Sequence, residues 1–236
     1  GETQFGFVGL DGARQMLGAA NNLANAPRLS PDGTRVAMAG VSDGNIWLAD
    51  LSNPAGLHKI RTGSYYNFPV FSDDGTRIII GTNLPNGVET VYSMRPDGSG
   101  DLELLARPAR APEGWKPGTQ TFSYITRRGA RDYDLWTFDL STYTFAPLAA
   151  IPGSAQLSSR FSPDGRWVAY MSEETGAFEV WVQPWPATGA RYRVSEQGGR
   201  APIWSLDGRE LYYDVNGRMH AVRFQGDATP MFNERR

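Results

Sequence analysis

The sequence contains no cysteine, two histidines and two lysines, against 21 arginines. Without thiols there can be no disulfide, thiolate metal site or cysteine nucleophile, and the redox compartment cannot be read. The two histidines, His58 and His220, are too few to suggest a His-rich metal site or a Ser-His-Asp triad. No apolar run reaches the roughly 18 residues of a membrane-spanning helix. The net charge of −2 gives no general attraction to nucleic acid or to an anionic membrane. The preference for arginine over lysine reads as GC-rich bacterial base composition. There is neither a signal peptide nor an initiating methionine, so the chain is expected to be part of a longer polypeptide.

What is present is β-type. The 236 residues are 40% hydrophobic and 12% aromatic, with 27 glycines and 16 prolines scattered throughout. Many short strands joined by tight turns need this composition. The most informative stretch is Phe161-Ser162-Pro163-Asp164-Gly165-Arg166-Trp167-Val168-Ala169-Tyr170. Proline presets φ at the second turn position, aspartate tolerates the third, and glycine takes the positive φ that follows. The result is a hairpin whose second strand is apolar on both faces.

Related turns end at Gly33, Gly75, Gly118 and Gly208, so successive turn glycines lie 42, 43, 47 and 43 residues apart. The third copy is shortened and lacks the aspartate, and the second and fifth lack the proline. Each turn is followed by an apolar strand, a short polar loop and then a strand centred on Trp47, Tyr92, Trp136, Trp181 or, in the fifth copy, His220. A weaker fourth strand closes each unit. This period indicates an all-β β-propeller of four-stranded antiparallel blades. Repeats are expected near residues 27–66, 67–110, 111–156, 157–199 and 200–233, in one propeller domain. Residues 1–18 read as the two outer strands of a further blade. The expectation is therefore six blade positions, five nearly complete and a partial sixth. The repeated aromatics are expected to fill the spaces between blades, each stabilising by roughly 2–3 kcal/mol if fully buried.

With these motifs in hand, the chain resembles the TolB-like, WD40-like (PD40) propeller repeat along nearly its whole length. Three stretches are also similar to the propeller region C-terminal to bacterial serine/threonine kinases: residues 28–33 with 45–48, 161–170 with 182–186, and 207–213. The resemblance implies a bacterial protein, extracytoplasmic or periplasmic, that binds a protein, peptide or cell-envelope ligand. Nucleic acid, membrane insertion and a cofactor are not implied.

Few stretches suggest chemistry. Gly40-Val41-Ser42-Asp43-Gly44 spells a nucleophile elbow. That motif requires a strand-to-helix turn, and this one falls between two strands. No kinase nucleotide loop, His-Arg-Asp or Asp-Phe-Gly occurs, so the chain is expected to be non-enzymatic. Most aspartates occupy turns, where they bond local amides. Residues 107–131 carry six basic side chains, which read as a solvated face rather than a patch for an acidic partner. Binding in a propeller favours the mouth of its channel, reached here just before each first strand. The candidates are Asn25, Arg28, Tyr65, Tyr66, Asn67, Glu113, Arg160 and Arg200, with arginines for acidic groups and tyrosines for apolar area. The rival expectation is a hydrolase or lyase using channel carboxylates and a metal. Glu113 is the one acid in those stretches, which disfavours it. A peptidase-gating propeller would need an α/β-hydrolase domain that these residues do not contain.

Overall fold

The computed structural model describes residues 4–9, 13–19, 23–40, 44–62, 66–83, 87–129, 132–226 and 230–235. These form two compact units, residues 1–112 and 113–236. The first unit opens with a hairpin, β1 (Gln4–Val8) against β2 (Arg14–Ala19). Two four-stranded sheets follow. The first holds β3 (Leu23–Leu29), β4 (Arg35–Gly40), β5 (Ile46–Asp50) and β6 (Asn53–Arg61). The second holds β7 (Tyr66–Phe71), β8 (Ile78–Asn83), β9 (Glu89–Met94) and β10 (Glu103–Ala106).

The second unit carries three more sheets. One holds β11 (Ala111–Trp115, which begins at the end of the first unit), β12 (Thr121–Arg127), β13 (Tyr133–Asp139) and β14 (Thr144–Ala149). The next holds β15 (Gln156–Phe161), β16 (Trp167–Ser172), β17 (Glu179–Pro184) and β18 (Tyr192–Arg193). The last holds β19 (Arg200–Trp204), β20 (Glu210–Val215), β21 (Arg218–Gln225) and β22 (Met231–Arg235).

The blades are thus five, not six. The sixth blade needed two inner strands from the other end of the chain. That end instead supplies β22, which pairs with β21 and completes the fifth blade. The N-terminal hairpin remains a two-stranded sheet.

The hairpin turns follow from their residues. At residues 162–167 the Gly165 amide bonds the Ser162 carbonyl at 2.8 Å, with Gly165 at φ 68°. The Ser162 hydroxyl donates to Asp164 Oδ1 at 2.6 Å and accepts the Trp167 amide at 3.0 Å. Ser30, Ser72 and Ser205 repeat this arrangement. The third turn lacks the serine and aspartate, and a different pair replaces them. Trp115 Nε1 donates to the Thr119 carbonyl at 2.7 Å, and Thr119 Oγ1 donates to the Lys116 carbonyl at 2.9 Å.

Neighbouring sheets bury their faces against each other. In the first unit Ala37, Ile46 and Leu48 pack with Phe71, Ile78 and Ile80. In the second, Trp167, Val180 and Val182 pack with Trp204, Leu211 and Phe224. The landmark aromatics fill this space only in part. Trp47, Tyr92, Trp136 and Trp181 are all half-buried. Lys59 lies 5.1 Å from the centre of the Trp47 ring, and Arg191 lies 5.6 Å from that of Trp181. The fully buried filling comes from the residues beside them, Ile46, Val91, Leu135 and Val180. Alternation along a strand sends neighbours to opposite faces, which is why. His220, which takes the landmark position in the fifth copy, is exposed and stacks on Tyr213 with ring centres 5.7 Å apart.

Candidate functional site

Seven of the eight predicted site residues lie in first strands, not in the connections before them. Pairing continues further towards the N-terminus than the turn spacing suggests, because the first strands bulge. The register shifts between Asn25 and Arg28, Asn67 and Val70, Leu157 and Arg160, and Arg200 and Ile203. Within each bulge one residue has positive φ: Ala26, Phe68, Ser158 and Ala201. All four stand seven positions before their turn glycine. Such a bulge absorbs an extra residue and re-aims the side chains beside it.

In the second unit the bulge at Ser158 presents Arg160. Its Nη1 donates to the carbonyls of Glu113 and Ser159, both at 2.7 Å, and lies 3.6 Å from Glu113 Oε2. Three first strands therefore meet on this residue, since Trp204 Nε1 donates to the Arg160 carbonyl at 3.0 Å. Beneath it the Ser159 hydroxyl donates to Ser123 Oγ at 2.9 Å, and Ser123 Oγ bridges the Gly114 amide and carbonyl. Burial pulls the Arg160 guanidinium below its usual value, and the Glu113 carboxylate opposes that shift. Both of its side-chain hydrogen bonds leave from Nη1, so Nε and Nη2 have no protein acceptor among the described residues.

Arg200 belongs to a different feature of the same unit. It lies 5.0 Å from the centre of the Phe178 ring, on the wall of a cavity of about 430 Å³. Glu196, Gly198, Asp214 and Asn216 also line this cavity. The wall is braced by buried Glu179. Its carboxylate takes Arg193 Nη2 at 2.9 Å, the Gly198 amide at 3.1 Å and the Ser195 hydroxyl. Ser195 Oγ in turn accepts the Val180 amide at 2.8 Å.

In the first unit Arg28 Nη1 donates to the neighbouring Pro27 carbonyl at 3.0 Å. Tyr66 is half-buried against the core between the two sheets. The Asn67 Oδ1 atom is buried with no partner among the described residues. Asn25 pairs with Ala39 through its backbone. Tyr65 lies outside the described residues.

The other motifs take ordinary positions. Gly40 ends β4 and Gly44 precedes β5, so the Gly-x-Ser-x-Gly stretch joins antiparallel strands; Val41, Ser42 and Asp43 lie outside the described residues. His58 is exposed on β6. Arg110 pairs with Glu89 at 2.9 Å and Arg128 with Asp134 at 2.7 Å, so the basic segment is partly spent internally. Desolvation raises the Asp134 carboxyl, and Arg128 works against it. No group of three histidine, aspartate or glutamate side chains comes together to hold a metal among the described residues.

Sequence reasoning missed Glu179, Arg193, Ser195 and Phe178. A signal existed: the position two before the landmark residue is polar in all five copies, and it is buried in the first four. Asn45, Thr90, Asp134 and Glu179 are all buried there. A repeated buried polar residue inside a strand needs partners, and its partners mark the loops that close over it.

Comparison with known proteins places the fold. No family model matches the chain. An uncharacterised protein from Agrobacterium fabrum is 27% identical over 165 residues, 67% of this chain. The match spans about half, 54%, of that relative's length. A TolB candidate from Agrobacterium tumefaciens superposes with a TM-score of 0.78 at 21% identity, covering 94% of this chain and 86% of that one. TolB from Acinetobacter baumannii gives 0.72 at 19%, covering 90% and 54%. An oligogalacturonate lyase in complex with manganese gives 0.64 at 12%, covering 89% and 65%. The fold is that of a TolB-like β-propeller with five four-stranded blades. Enzymes and TolB proteins share it, so the fold alone carries no activity.

Proposed function

We propose that the chain is a non-catalytic binding module whose ligand is a protein or peptide bearing acidic groups. Arg160 is the principal anchor. The supporting observation is its geometry: one guanidinium nitrogen is fixed by two backbone carbonyls, leaving Nε and Nη2 uncommitted. A pre-positioned guanidinium loses little conformational freedom on pairing with a carboxylate. Arg200, held against Phe178, is the second anchor. Arg28 and Tyr66 of residues 1–112 serve the same ligand chemistry. Glu113 and Glu179 are tied to arginines, which suits a positioning role better than proton transfer. A bacterial extracytoplasmic setting and a cell-envelope partner, in a longer chain, agree with this reading.

A glutamate-rich peptide and a size-matched neutral one, titrated against the protein, test it. Arg160→Gln with Arg200→Ala should weaken binding of the acidic peptide about a hundredfold, counting tenfold for each charge-assisted pair. Arg28→Ala with Tyr66→Ala is assayed separately. Unchanged affinity in a variant that keeps its thermal midpoint would remove the site assignment.

A further inference from the structure

We propose a second, independent ligand site for a compact polyanion carrying phosphate or carboxylate groups, built by Arg209, Arg223 and Arg166. It occupies a cavity of about 910 Å³ bordered by the hairpin turns of the last two blades. Its wall adds Asp207, Glu210, Gln225 and Gly226, and its floor is Phe224. The Phe224 ring is buried, with ring centres 4.8 Å from Trp204 and 5.4 Å from Trp167.

Three arginines line the cavity against two carboxylates, and the difference in how these groups are hydrogen-bonded carries the inference. The acids on and beside this wall are already occupied. Asp164 Oδ1 accepts the Ser162 hydroxyl and the Arg166 amide, and its Oδ2 takes Arg166 Nε at 2.7 Å. Asp207 Oδ1 accepts the Ser205 hydroxyl at 2.7 Å and the Arg209 amide at 3.0 Å. Glu210 Oε2 accepts the Tyr212 hydroxyl at 2.5 Å. The cations are far less engaged. Arg209 Nε reaches Asp207 only at 4.0 Å, and Arg223 has no side-chain partner among the described residues, although it stands opposite Glu210 in the sheet register. The carboxylates keep their charge, but the oxygens named are bonded locally, which leaves two guanidinium groups with N–H donors open to one cavity that Gln225 also lines. Guanidinium pairs recognise planar or tetrahedral oxyanions by bidentate hydrogen bonds. The cavity is within the size range of small-molecule sites, larger than a single ion needs.

Calorimetric titration of the whole protein with pyrophosphate, and separately with citrate, tests the proposal at fixed ionic strength. Saturable binding of either probe is expected, and the tighter one identifies the headgroup chemistry. Arg209→Ala with Arg223→Ala should weaken it by about tenfold or more. Arg200→Ala, which belongs to the other cavity, should leave it unchanged. Both altered arginines are exposed, so the thermal midpoint should hold. Two outcomes overturn the site: neither probe saturates, or the double variant binds as tightly as the parent. Neither outcome bears on the acidic-peptide site, whose anchors are different residues.

Discussion

The Ser162 hydroxyl donates to Asp164 Oδ1 at 2.6 Å, a bond that closes the repeat's turn on itself. The same oxygen accepts the buried Trp167 amide, and this second bond ties the turn to the strand that follows it. Replacing Ser162 removes an acceptor that no other group supplies. Ser162→Ala should lower unfolding free energy by about 1–3 kcal/mol, read from urea midpoints. Ser205→Ala, on a more exposed turn, should cost less. Equal losses at both sites would show that burial is not what sets the cost.

Turn aspartates give the fold an acid limb. The Ser30 hydroxyl and the Thr34 amide and hydroxyl hold the Asp32 carboxyl down at about 2, from 3.8. Asp74 is lowered by Ser72 and Thr76, and Asp207 by Ser205 and the Arg209 amide. At Asp164 partial burial pulls upward, and Ser162 and Arg166 more than offset it. A depressed folded value means that the unfolded chain binds protons first as pH falls. This contribution is therefore complete above about pH 4 and is lost between about pH 4 and 2. Asp134, raised by desolvation, works in the opposite sense. Urea midpoints across this range should fall with acid, and Asp32→Asn should flatten the slope. A midpoint that does not move would contradict the assignment.

The bulge residues hold positive φ without being glycine. Ala201, at φ 48° and exposed, is the cleanest case. Ala201→Gly should raise stability by about 0.5–1 kcal/mol, since the strain relieved exceeds the freedom gained by the unfolded chain. Ala201→Val should lower it. Thermal midpoints that rank the three the other way would rule out strain at the bulge.

Gly81 shows the reverse constraint, one of space. A Cβ there would sit 2.3 Å from the Arg110 carbonyl and 2.8 Å from Asn67 Oδ1. The obstacle is backbone, so β8 and the start of β11 would have to separate. Gly81→Ala should cost about 1–3 kcal/mol in a chemical denaturation experiment. A neutral effect would mean that the two strands are less closely packed.

Much of the fold was legible because its information is local. The Ser-x-Asp-Gly turns declare their own hydrogen bonds, and Val36, Ile78 and Leu211 declare buried strands by composition. The blade count was not legible in the same way. Whether residues 231–235 close the fifth blade or begin another depends on which strand edge is free, a tertiary property. The site was less readable still. Arg160 could be named from its place before a turn, but its fixation by the Glu113 and Ser159 carbonyls depends on a bulge that no local motif announces. Glu179 was passed over because a single acid in an apolar strand looks like noise until its copies at Asn45, Thr90 and Asp134 are aligned.

Every pairing within the five blades joins strands that are consecutive along the chain. No blade waits for a distant segment, because β22 follows directly from β21. Loop closure before each pairing is short, and short closure favours fast assembly. The chain can thus zip each blade as it emerges from the ribosome, long before the last residues are made. A β-rich protein of this size would ordinarily carry unpaired edges for longer, and its aggregation hazard during synthesis would be correspondingly greater.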